Sequence, residues 1–137
     1  MEPKKHALIV TDGAESTGKI AQHIAGALKE VHAVVLTAAA FSGADILPAD
    51  VYFFGCEEPH PASFSYLEAL LNHINLVGRP CGLFSPKSEK AVQYLADMVH
   101  DSELALKALP FVAGEPGQIQ RWAAELTGEG YNNHKDG

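Results

Sequence analysis

The sequence predicts one α/β domain, with five parallel strands in the order 2-1-3-4-5 and helices on both faces of the sheet. Three observations carry this. Short continuous apolar runs recur along the chain, as strands buried on both faces require. Stretches with helical apolar spacing alternate with those runs. Turns containing Gly, Pro or small polar residues separate most of them.

The first strand is the run Ala7-Leu8-Ile9-Val10, followed by a polar turn from Thr11 to Gly18. Ile20, Ala21, Ile24, Ala25 and Leu28 then repeat at helical spacing. Val31 to Leu36 is the second strand, and Thr37 to Ala49 reads as a loop with one helical turn. Val51 to Phe54 forms the third strand, ending at Gly55. Leu67, Leu70, Leu71 and Ile74 mark a helix that Gly78-Arg79-Pro80 breaks. Cys81 to Phe84 is the fourth strand, and Ala91, Val92, Leu95, Met98 and Val99 form the next helical stripe. Leu109 to Ala113 is expected as the fifth strand, with Gly114-Glu115-Pro116 turning into a last helix marked by Ile119, Trp122, Ala123 and Leu126.

At 137 residues and 47% hydrophobic, the chain suits one domain with a substantial core. That domain is assigned to residues 1–127, and the polar stretch 128–137 to a flexible tail. A formal net charge of −7 repels nucleic-acid phosphates and anionic lipid, so neither is an expected partner. No apolar run approaches the roughly 18 residues of a membrane span. The N-terminal residues lack an apolar signal-peptide core, which points to a cytoplasmic protein. Two cysteines are too few for a disulfide framework. The seven histidines are scattered singly, without metal-ligand spacing.

In an open sheet of this order, ligands sit beyond the carboxyl ends of the strands, where the order reverses. The turns after the first, third and fourth strands, residues 11–19, 55–63 and 85–88, therefore hold the candidate site. The first turn opens a helix, whose N-terminal amides attract phosphate. It admits three readings. As a nucleotide P-loop it has G-x-x-x-x-G-K from Gly13 to Lys19, but Ile20 stands where a magnesium-binding hydroxyl is needed. As a plain β-α connection it needs only Gly and a capping Ser16 or Thr17. The third reading is flavin phosphate binding, and it rests on a resemblance.

From residue 5 to residue 127 the chain resembles the flavodoxin family. Asp45-Ile46-Leu47-Pro48-Ala49-Asp50-Val51-Tyr52-Phe53-Phe54-Gly55 looks like that family's lead into its third strand. Aligned on Thr17-Gly18, residues 15–20 resemble its phosphate loop, commonly [ST]-x-T-G-x-T. The resemblance implies a flavodoxin-like three-layer sandwich that binds FMN non-covalently. It implies electron transfer to a partner protein, with no substrate chemistry and no catalytic residue of its own. Phosphate would lie on Ala14, Glu15, Ser16, Thr17, Gly18, Lys19 and Ile20. The flavin ring would lie between Gly55, Cys56, Glu57, Glu58 and His60 on one side and Ser85, Pro86 and Lys87 on the other. The acidic surface would suit a basic redox partner.

Several residues depart from the family pattern. Glu15 and Ile20 replace hydroxyls, Lys19 replaces a polar amide, and the third turn has no Trp or Tyr. Glu15, Glu57 and Glu58 make the mouth of the crevice acidic. These departures define an alternative: a flavodoxin-fold binding or regulatory module whose flavin site is lost or remodelled. Cys56 reads as an inert small residue, because its carboxylate neighbours oppose a thiolate. A phospho-acceptor aspartate is missing from the end of the third strand, where Gly55 stands.

Overall fold

The computed structural model describes residues 5–28, 31–106, 110–112 and 116–127. In chain order the elements are β1 (Lys5–Thr11), α1 (Glu15–Ala27), β2 (Val31–Thr37), α2 (Gly43–Ile46), β3 (Val51–Gly55), α3 (Ser65–Leu71), β4 (Pro80–Ser85), α4 (Glu89–Val99), β5 (Ala105–Leu106), β6 (Phe111–Val112) and α5 (Pro116–Thr127). The strands pair in parallel in the order β2-β1-β3-β4-β5. The expected order is therefore present.

Successive residues of a strand point to opposite faces, and β1 shows this directly. Ala7 and Ile9 pack with Ile20, Ile24, Trp122 and Leu126 in the layer under α1 and α5. Leu8 and Val10 pack with Phe54, Leu67, Leu71 and Leu95 in the layer under α3 and α4. Both layers are dry: Ile9, Phe53, Phe54 and Phe84 have no exposed surface. Burying one such side chain stabilises the fold by about 1.5–3 kcal/mol. Gly82 on β4 lets α5 come close, since a Cβ there would lie 2.4 Å from Leu126 and 2.9 Å from Trp122.

The fifth strand differs from its expected form. Among the described residues two short segments pair with β4: Phe111–Val112, inside the expected strand, beside Phe84 and Ser85, and also Ala105–Leu106 beside Pro80 and Cys81. Pro110, which has no N–H to give a ladder, immediately precedes the second segment. Two residues are too short a run for an apolar pattern to announce. Leu109, Ala113, Gly114, Glu115 and the expected tail 128–137 lie outside the described residues.

Two connections shape the rest. The single helical turn expected between β2 and β3 is α2, where the Asp45 carboxylate accepts from the Ser42 N–H at 2.9 Å. α3 ends at Leu71, short of Ile74, and the Asn75 side chain organises the turn that follows by accepting from the Val77 N–H at 3.0 Å. At the other end of the sheet, Arg79 Nη1 donates to the carbonyls of Leu47 and Ala49 at 2.7 and 3.0 Å and to Tyr52 Oη at 2.8 Å. Burial raises the Tyr52 pKa, partly offset by this guanidinium.

Candidate functional site

The parallel register carries β1, β3 and β4 to a common edge, with Thr11 beside Gly55 and Gly55 beside Phe84. Gly55 is required by this packing: a Cβ there would sit 2.2 Å from the Phe84 ring. The turns leaving these strands are held by their own side chains.

The first turn is an Asx turn. Asp12 Oδ1 accepts from the Ala14 N–H at 3.1 Å, Thr11 Oγ1 accepts from the Gly13 N–H at 3.3 Å, and Gly13 takes φ +89°. α1 then starts at Glu15 without a side-chain cap, because Ala14 occupies the cap position. The amides of Glu15, Ser16 and Thr17 come before the first helical bond, which runs from the Gly18 N–H to the Ala14 carbonyl at 2.9 Å. Thr17 is fully buried, and its hydroxyl has no hydrogen-bond partner among the described residues.

The second oxygen of Asp12 crosses to the third turn and accepts from the Glu57 N–H at 2.8 Å. Glu57 reaches back, its Oε2 accepting from the Ser16 hydroxyl at 2.6 Å. Glu58 reaches the other way and pairs with Lys87 Nζ at 3.1 Å. Two consecutive glutamates thus tie the third turn to the first and to the fourth. The fourth turn is also closed locally: buried Ser85 Oγ accepts from the N–H groups of Lys87 and Ser88 at 3.3 and 3.1 Å. Glu58 raises the pKa of Lys87 by hydrogen bonding and by its charge.

The expected site residues therefore divide. Ser16, Glu57, Glu58 and Lys87 come together across the three turns, with Gly55 and Ser85 beneath them. Pro86 is half-buried in the fourth turn. Ile20 lies in the core below α1. Glu15, Gly18 and Lys19 border a groove on the β2 side of the helix. His60, at φ +55°, sets its ring 4.4 Å from that of Tyr94 on α4, and the Tyr94 hydroxyl donates to Glu68. Burial of Tyr94 and the Glu68 carboxylate both raise the tyrosine's pKa. Cys56 is buried, and burial together with the Asp12 charge pushes its thiol up to about 12. It is no nucleophile near neutral pH.

Asp12 is the residue that sequence reasoning missed. The signal was present: an Asp directly before Gly at the end of a strand is an Asx-turn signature. Among the described residues no group of three or more His, Cys, Asp or Glu side chains is placed to hold a metal. No described helix is long and apolar enough to cross a membrane.

The geometry can be set beside known structures. Oxidised Flavodoxin 2 from Bacillus cereus matches with a TM-score of 0.80 and 15% identity, over 90% of this chain and 99% of that one. A short-chain flavodoxin associated with a non-canonical PDU bacterial microcompartment matches at 0.79 and 13%, over 93% and 99%. A mutant flavodoxin from Fusobacterium nucleatum, bound to flavin mononucleotide, matches at 0.69 and 13%, over 95% and 96%. No family model matches the chain, and no curated protein matches it significantly in sequence. The fold is flavodoxin-like, a three-layer α/β sandwich.

Several polar groups at the three turns are already engaged with one another. The Ser16 hydroxyl donates to Glu57, and the carboxylates of Asp12 and Glu57 stand at the first turn. Like charges about 4 Å apart repel by about 1 kcal/mol in water and about 4 kcal/mol at a partly screened protein surface. Lys87 is already paired with Glu58. No Trp or Tyr belongs to the third turn, and the aromatic partner of His60 is on α4.

Proposed function

We propose that this chain is a flavodoxin-fold binding module whose crevice has been remodelled, its own carboxylates taking the Ala14 amide and the Ser16 hydroxyl, two donors of the expected phosphate loop. One observation carries the reading: the Asp12–Glu57–Ser16 tie, at 2.8 and 2.6 Å, between the first and third turns. The ion pair of Glu58 with Lys87 supports it by linking the third turn to the fourth.

An FMN-binding electron carrier is the second reading. Specific observations favour it: the uncapped start of α1, the unpartnered Thr17 hydroxyl and a structural neighbour that holds FMN. On that reading the acidic surface docks a basic redox partner. Fluorescence titration separates the two. The first expects no saturable quenching of FMN up to about 100 μM protein, a concentration at which even weak binding registers. Saturation near 1 μM would establish the second reading and overturn the first.

A further inference from the structure

His6 on β1 and His32 on β2 stand side by side, because the parallel register pairs them. Residues in register on neighbouring strands put their side chains on the same face of the sheet. Both histidines are exposed, and their ring centres lie 5.2 Å apart with 74° between the ring planes. The backbone of His6 is also clamped from the β3 side. Asp50 Oδ2 accepts from the His6 N–H at 2.8 Å, and the Asp50 N–H donates to the His6 carbonyl at 2.7 Å. Both histidines lie near the amino ends of their strands, away from the three turns.

We infer that His6 and His32 form a chelating site for a divalent transition ion, with zinc as the simplest case. The ring spacing carries the inference. Zinc holds an imidazole nitrogen at about 2.0 Å, which puts the ion about 3.2 Å from the ring centre. Two such rings at a tetrahedral angle have centres about 5 Å apart. The separation of His6 and His32 is therefore that of two ligands on one ion. Turning an exposed ring about χ2 aims a nitrogen at the ion without moving the strand. Imidazole selects zinc, copper or nickel over magnesium and calcium, which take oxygen ligands. The Asp50 charge beside His6 favours a cation there. Among the described residues no group of three His, Cys, Asp or Glu side chains is placed around an ion, so this one takes two protein ligands and keeps its other positions for water. The two histidines show no ligand spacing along the chain, and only the β1–β2 register unites them. The inference is independent of whether FMN binds.

The probe is zinc alone, titrated into the full, untagged chain by isothermal calorimetry. One ion per chain should bind with a Kd of about 100 μM or tighter. Magnesium at about 10 mM should leave that binding unchanged. His6→Ala and His32→Ala should each weaken zinc at least about tenfold, while His73→Ala, at another exposed histidine, should change nothing. Both ligands are exposed, so the variants should fold, and circular dichroism checks this. Copper(II) gives a second readout, since it should broaden the amide signals near residues 6 and 32 before those near residue 57. No saturation by about 1 mM zinc, a loss with only one of the two alanine variants, an equal loss with His73→Ala, or displacement by magnesium would overturn the inference. Broadening centred on Glu57 and Glu58 would also overturn it, and move the ion to the acidic turns. One ion per two chains would overturn the single-chain chelate and assign the ion to a contact between copies.

Discussion

The two sides of α1's N-terminus are opposites. Toward β3 the turns are laced together: Asp12 bonds the Glu57 amide, Glu57 takes the Ser16 hydroxyl, and Glu58 pairs with Lys87. Toward β2 a groove stays open, bordered by Gly13, Ala14, Glu15, Gly18, Lys19 and His23, and Lys19 makes no ion pair among the described residues. One helix start offers the same amides to both sides. The difference teaches that a fold's usual crevice can be satisfied from within while an adjacent groove stays open. Which side is open is decided by a few side chains in the turns.

The largest effects should come from the packing beneath the closed side and from the tie above it. Gly55→Ala forces a Cβ into the Phe84 ring and should cost about 1–3 kcal/mol in urea unfolding. A neutral result would mean that the third turn has more room than the closed geometry requires. Next comes the tie itself. Asp12 accepts from two backbone amides, so Asp12→Ala should cost about 1.5–3 kcal/mol, as expected for hydrogen bonds to a charged group. Stability unchanged in that variant would remove Asp12 from the explanation. By contrast, Gly18→Ala on the open side adds a methyl in free space and replaces a helical glycine. It should stabilise by about 0.5–1 kcal/mol, measured by the same denaturation.

Alkaline pH sharpens the comparison on the closed side. The Cys56 thiol is raised in the folded state, from an ordinary value of 9.0 to about 12. Its contribution to stability is complete below pH 9 and is lost as pH rises toward 12, because the unfolded chain gives up the proton first. Denaturation midpoints should therefore fall across that window, and Cys56→Ala should flatten the decline. The smallest effect is expected from Lys87→Ala. Its exposed ion pair with Glu58 should leave the urea midpoint indistinguishable from the parent's.

Much of the fold was legible in the sequence, because apolar runs and helical stripes report burial directly. Ala7 to Val10 and Val51 to Phe54 each read as strands and are strands. The split around Pro110 was not legible, since β5 and β6 are each two residues long and take their pairing from β4. At the site, the three turns were identifiable from topology alone. The ties between them were not, because Ser16 and Glu57 are 41 residues apart in the chain and meet only in space. Asp12 closes its own turn and also bonds the third. Lys19 could be placed on a helix but not on a side of it.

The most direct measurement is the ¹⁵N–¹H spectrum of the chain with FMN added to about 1 mM. In the parent protein the amides of residues 15–18 and Glu57 should keep their positions, because the Asp12 and Glu57 carboxylates beside them hold the Ser16 hydroxyl and repel a phosphate. In the Asp12→Ser, Glu57→Gln double variant the same amides should shift with added FMN. Saturable shifts at those amides in the parent protein would contradict the self-tied crevice.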